Sequence, residues 1–398
     1  MVLFLAGLIL LGLASFGGVL HWTFLVMALC SAGASAILFT AAALKGRIDL
    51  RCVPFVAASL ACAAFGSVRL AVVLIPAAWA VVSFKRNEAV LKLFRILIFF
   101  GVAEAALGLV QTLSAPRWIL GYHNAIGSPT SGTLINRNHY AGLLELLVPL
   151  AFGIAFMERE KGQPAKAFLA AMTAILMSAA LVSSLSRMGT IALLISITFT
   201  AFLARRRLTG TSTALSLTFF FASLLGFVLW IGIDTIMARF EQLTDTEAVM
   251  AQARTIVYKD TLLLIQDHPF GVGMEHYQDQ FRRYQTWHPE LLFDHAHNEY
   301  LETTAELGIP IALMTWICIL FLFIRGVRGF FRVRSFEAAG LLLGCIGGLT
   351  ALLVHSFVDF NLQIPVNGMI FFTLLGTCTA LARVPREKPV MLRGYRNS

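Results

Sequence analysis

Apolar runs of roughly membrane-spanning length recur along the whole chain, separated by short polar connections. They lie at about 2–20, 22–44, 52–66, 70–84, 93–113, 140–157, 167–184, 188–204, 211–233, 301–324, 336–354 and 366–382. A helix of about 20 apolar residues crosses the hydrocarbon core, and in lipid only helices and closed barrels satisfy their own backbone. The pattern therefore predicts an all-α integral membrane protein of about 12 transmembrane helices, folded as a single polytopic domain over 1–398. The first run has no Lys or Arg before it, which separates it from a cleaved signal peptide and makes it a span. Runs 52–66 and 70–84 are short and meet at Gly66-Ser67-Val68-Arg69, so they read either as a hairpin or as one long tilted helix.

Composition agrees with the pattern. Hydrophobic residues make up 58% of the 398 and charged residues 13%, against about 25% charged in an average soluble domain. A water-soluble enzyme with one core, or a protein with one anchor, is excluded. The six cysteines mostly lie inside or at the ends of apolar runs, where they act as small apolar residues rather than as a disulfide or zinc framework. A net charge of +9 would suit nucleic acid, but the basic residues cluster in short connections between apolar runs, where they encode orientation. With both termini cytoplasmic, 22 of the 31 Lys and Arg fall in inner segments. A single span at 52–84 would put the two flanking basic loops on opposite faces, so the hairpin is expected. All nine histidines then fall on the outer side, together with the two longest polar stretches, 114–139 and 234–299.

The loop 234–299, between spans nine and ten, carries 11 of the 22 acidic residues and five of the nine histidines. Loops of this length in compact folds are usually functional, and this one is expected to be partly helical and catalytic. Asp245 or Thr246 can cap a helix running through Arg254 and Leu264 to a stop before Pro269, and Gly271 and Gly273 break the chain afterwards. A second helix is expected from near Asp294, carrying His297, Asn298 and Glu302 up to Gly308-Ile309-Pro310 and leading into span ten. In span eleven Gly340, Gly344 and Gly348 form a small-residue ridge suited to close helix packing.

Arg254 with Asp267-His268-Pro269-Phe270-Gly271-Val272-Gly273, and His295-Ala296-His297-Asn298-Glu299-Tyr300-Leu301 at the start of a span, resemble the O-antigen ligase and polysaccharide polymerase superfamily. Ser184-Leu185-Ser186-Arg187-Met188-Gly189, Asn136-Arg137-Asn138-His139-Tyr140-Ala141-Gly142 and His355…Asp359…Asn361 are similar to that family's other motifs. Twelve spans with the large outer loop between nine and ten are also its layout. The first four spans match only as hydrophobic helices.

The resemblance implies a glycosyltransferase at the periplasmic face of the bacterial inner membrane. It would move a glycan from undecaprenyl pyrophosphate to an acceptor hydroxyl, lipid A-core in the ligases or a carrier-linked growing glycan in the polymerases. His297 is expected to be the base, since a sugar hydroxyl is a poor nucleophile and an imidazole that accepts its proton is worth roughly 10²–10⁴ in rate. The leaving pyrophosphate needs positive charge rather than an acid, and Arg187 and Arg254 supply paired donors that never lose charge. Asn138, His139, Asn298, Glu302, His355 and Asp359 are the supporting residues. No metal or cofactor is expected: His295-x-His297 with Glu299 and Glu302 lacks a His-Glu-x-x-His spacing. A flippase or transporter is the competing class. It would place ionisable residues in mid-span, where only Glu104 and Glu145 lie well inside a run. Membrane lipids are the remaining expected partner, and nucleic acid is not one.

Overall fold

The spacing of breakers and caps decides where each apolar run becomes a helix. In the computed structural model, residues 1–46, 49–64, 67–84, 86–114, 118–119, 122–123, 130–207, 253–286 and 293–382 are described. The helices are α1 (Val2–Leu13), α2 (His21–Leu44), α3 (Val53–Ala64), α4 (Val68–Ser83), α5 (Asn87–Ser114), α6 (Arg137–Glu160), α7 (Pro164–Ser183) and α8 (Arg187–Arg205). They continue as α9 (253–267), α10 (Tyr277–Phe281), α11 (Glu299–Arg332), α12 (Phe336–His355) and α13 (Pro365–Leu381). Between α5 and α6 a two-residue antiparallel ladder pairs Trp118 with His123 and Ile119 with Tyr122. Among the described residues seven helices are long and apolar enough to cross a membrane, and four more apolar helices are shorter. The expected span at 211–233, and the caps at Asp245 and Thr246, lie outside the described residues.

The first run departs from expectation. It is helical for only 12 residues, because Phe16, Gly17 and Gly18 take φ of 60°, 86° and 83° and turn the chain. The Gly17 carbonyl then accepts a hydrogen bond from Val366 N at 3.2 Å. The hairpin at 52–84 is present as two helices, and Ser67, which caps α4, donates to Glu275 Oε1 at 2.8 Å. Its tip therefore stands at the same end of the bundle as the polar loop.

The glycine ridge packs α12 on α6. A Cβ at Gly340, Gly344 or Gly348 would stand 2.5, 3.0 or 2.7 Å from the Gly153 carbonyl oxygen, Leu150 Cα or the Leu146 carbonyl oxygen. Only glycine permits that approach. It brings Glu145 of α6 beside His355 at the end of α12.

The largest difference from expectation is in α11. Its chain breaks at Gly308, with φ 77° and ψ 159°, and the rings of Tyr300 and Trp316 lie 4.4 Å apart. Sixteen residues of straight helix would separate them by about 24 Å. The segment before Gly308 thus folds back against the segment after it, and the apolar span begins near Ile309 rather than at 301. The freed backbone groups are met by the Asp267–Gly273 motif: Val272 N and Gly273 N donate to the Ala305 and Glu306 carbonyls at 2.9 and 3.0 Å, and Ile309 N donates to the Pro269 carbonyl at 2.9 Å. Gly271, at φ 88°, would collide with the Glu306 carbonyl if it had a Cβ, and Gly308 with the backbone of Phe270.

Candidate functional site

Three helices that carry the chemistry-bearing motifs begin in one way. Ile135, Leu185 and His297 take φ of 62°, 59° and 49°, each directly before a side-chain N-cap: Asn136 of α6, Ser186 of α8 and Asn298 of α11. Left-handed backbone is uncommon outside glycine and is held only by its surroundings. Each cap oxygen takes one first-turn donor, Asn138 N at 2.8 Å, Gly189 N at 3.3 Å and Leu301 N at 3.0 Å. The starts of α6 and α8 are joined, since Ser186 Oγ donates to Asn138 Oδ1 at 3.0 Å. Helix N-termini favour anions, so these turns add positive potential beside Arg187, the exposed first residue of α8.

The starts of α6 and α11 meet at Asp359. His139 Nε2 and His297 Nδ1 stand 3.8 and 3.7 Å from Asp359 Oδ1. Those separations are longer than hydrogen bonds. Oδ1 accepts from Phe360 N at 2.8 Å, while His139 Nε2, His297 Nδ1 and Asp359 Oδ2 are buried without a hydrogen-bond partner among the described residues. Burial opposes charge on Asp359, but the His297 imidazole and the surrounding His139 and His355 outweigh it and hold the carboxyl well below the usual carboxylate range. The Phe360 ring fixes the neighbours' planes, stacking on His295 at 3.9 Å and meeting His139 and His297 edge-on at 4.8 and 5.0 Å. His297 itself is 26% exposed, so a substrate can reach it.

Placement of His297 differs from expectation. It precedes α11 instead of riding on it, and its carbonyl accepts from Tyr258 Oη at 2.8 Å. Burial pushes the Tyr258 phenol up to about 12, so it remains a donor through neutral pH. Tyr258 is one helical turn beyond Arg254 on α9, which puts Arg254 on the face turned towards His297; Arg254 is half-buried there. Asn298 Nδ2 donates to the Phe357 carbonyl at 2.9 Å and Glu299 N to the Ser356 carbonyl at 3.0 Å, so the α12–α13 loop and the start of α11 are one unit.

Of the supporting residues, His139 and Asp359 join His297 directly. Glu302 does not; it takes His295 Nδ1 at 2.6 Å and Ala296 N at 2.9 Å, and so shapes the turn before His297. Burial opposes charge on His295, but Glu302 reverses this and raises its pKa. His355 Nδ1 lies 3.1 Å from both Glu145 oxygens, fully buried below the site. Sequence reasoning missed Tyr258, Phe360 and Phe357. No spacing signal marks the first, whereas the other two flank Asp359 in the His355…Asn361 motif. Among the described residues no group of three or more His, Cys, Asp or Glu is arranged to hold a metal ion.

Among curated proteins none matches the chain. The family model described as O-antigen ligase matches residues 172–317, a segment that holds Arg187, Arg254, His297, Asn298 and Glu302 but leaves His139 and Asp359 outside. Over those residues the chain is similar to the O-antigen ligase family, and its motif turns gather at one end of a helical bundle.

Proposed function

We propose that the protein is a metal-independent glycosyltransferase of the O-antigen ligase type. It moves a glycan from undecaprenyl pyrophosphate to a hydroxyl of lipid A-core at the periplasmic face of the inner membrane, with both termini cytoplasmic and with 234–299 as its catalytic loop. The observation that carries this reading is His297 set 3.7 Å from Asp359, at a joint between helices whose capped N-termini face the same end. Asp359 keeps Nδ1 of His297 as the protonated nitrogen, which leaves Nε2 as a base for the acceptor hydroxyl. As the acceptor oxygen bonds to C1 of the sugar, the C1–O bond to pyrophosphate breaks and the electron pair leaves with the phosphate. Arg187, Arg254 and the helix N-termini stabilise that anion, and the proton on His297 passes to solvent. Direct displacement inverts C1.

The test is reconstitution in proteoliposomes with a carrier-linked repeat unit and lipid A-core. Glycosylated lipid A-core supports the ligase, whereas lengthened carrier-linked chains would replace it with a polymerase. Activity should survive EDTA and dialysis; a loss restored by zinc or magnesium would overturn the base-and-arginine mechanism. Sidedness has its own check. Ser67 is buried against Glu275, so the reporter cysteine belongs at Val68, which is 45% exposed. It should react with a membrane-impermeant thiol reagent in spheroplasts, and a cysteine at Asn87 should not.

A further inference from the structure

Three aromatic rings form a row that starts at the loop carrying Asp359. Phe357 is 58% exposed; its ring lies 4.5 Å from that of Tyr300, which lies 4.4 Å from that of Trp316 in the span after Gly308. Tyr and Trp at the ends of spans usually keep their polar tips in the wet interfacial zone. This row does not. Tyr300 Oη donates to the Leu353 carbonyl at 2.7 Å, and Trp316 Nε1 is buried without a partner among the described residues. What the row offers a visitor is ring faces, continued along the same span by exposed Leu313 and Leu320.

The row is continuous with the site. The Phe357 carbonyl takes Asn298 Nδ2 at 2.9 Å and faces Tyr258 Oη at 3.4 Å, the same phenol that holds the His297 carbonyl. A ligand whose phosphates lie beside Arg254 would therefore meet Phe357 first and Trp316 next. We propose that this row seats the first isoprene units of the donor's prenyl chain, with Phe357 and Trp316 as its specificity-determining residues. Flat unsaturated isoprenes pack on ring faces, whereas a glycan would need hydrogen-bond partners that the row lacks. The inference rests on the transfer reading above, because it takes the donor to be prenyl-linked.

Two measurements separate the two ideas. Purified protein in nanodiscs is photolysed with a prenyl phosphate bearing benzophenone on its first isoprene, and the adduct should map to 300–320 and 353–360. Transfer is then compared for one glycan on a C55 prenyl pyrophosphate and on a methyl pyrophosphate, which carries no isoprene. In Phe357→Leu and Trp316→Leu protein of unchanged melting temperature, KM for the C55 donor should rise about tenfold with kcat within about twofold, and adduct yield should fall. Adducts mapping elsewhere, or equal losses for both donors, overturn the seat and leave transfer standing. Adducts at the row with no transfer from either donor sink the transfer reading alone.

Discussion

Glu104 and Asp359 are both buried carboxylates in a membrane protein, and they are treated in opposite ways. Glu104 of α5 is spent: Oε1 takes the Thr133 hydroxyl at 2.8 Å and Oε2 takes Thr133 N at 2.9 Å. With Gln111, which accepts from Ser131 N and Gly132 N at 3.0 and 2.8 Å, it pins the turn that leads to Asn136. Asp359 has one oxygen on Phe360 N and facing two imidazoles from 3.7 and 3.8 Å, and the other without a partner among the described residues. A buried polar group left short of partners is destabilising. A satisfied carboxylate builds a scaffold, and an unsatisfied one beside a reachable histidine is where the proposed transfer would take place.

That contrast breaks most directly at His297. His297→Ala protein should lose roughly 10²–10⁴ in turnover while carrier-lipid binding and membrane abundance stay near normal. A variant within a few-fold of wild type would hand the role of base to His139. Arg187→Lys and Arg254→Lys keep charge but lose the paired geometry, and a fall in turnover of about 10², with weaker donor binding, is expected in each. Asp359→Asn keeps the volume and removes the charge that orients His297, so turnover should fall about 10- to 100-fold with little change in melting temperature. The scaffold carboxylate gives the smallest catalytic effect. Glu104→Ala should cost about 1–3 kcal/mol of stability by stranding the Thr133 donors, with turnover per folded molecule unchanged; a selective loss of turnover would erase the distinction drawn here.

Much of this was legible from local signals. Hydrophobic period located the described apolar helices and the two-helix hairpin, and His297, Arg187 and Arg254 stood out as charged or titratable groups next to apolar runs. Glu104 and Glu145 were visible as rare mid-span carboxylates, but their partners Thr133 and His355 lie 29 and 210 residues away along the chain, and nothing local encodes that pairing. The fold-back at Gly308 was hidden for another reason. Gly308-Ile309-Pro310 announces a break, yet only the match between the Pro269–Gly273 backbone and the carbonyls of 305 and 306 that the break frees sets its direction. The position of His297 before the cap, held by Tyr258, follows from that reversal and was out of reach of periodicity.

The fold-back also ties the site to helical phase. From Glu299 to Gly308 the chain is a short arm clamped at both ends, by Phe270 against Gly308 and by the Ser356 carbonyl on Glu299 N. One residue inserted into it would turn its Glu299 end by about 100° relative to Gly308 and advance it by about 1.5 Å. His297 would then swing away from Asp359 with every side chain of the site still present. The length of this arm, counted in residues, is therefore as much a part of the site as any imidazole in it.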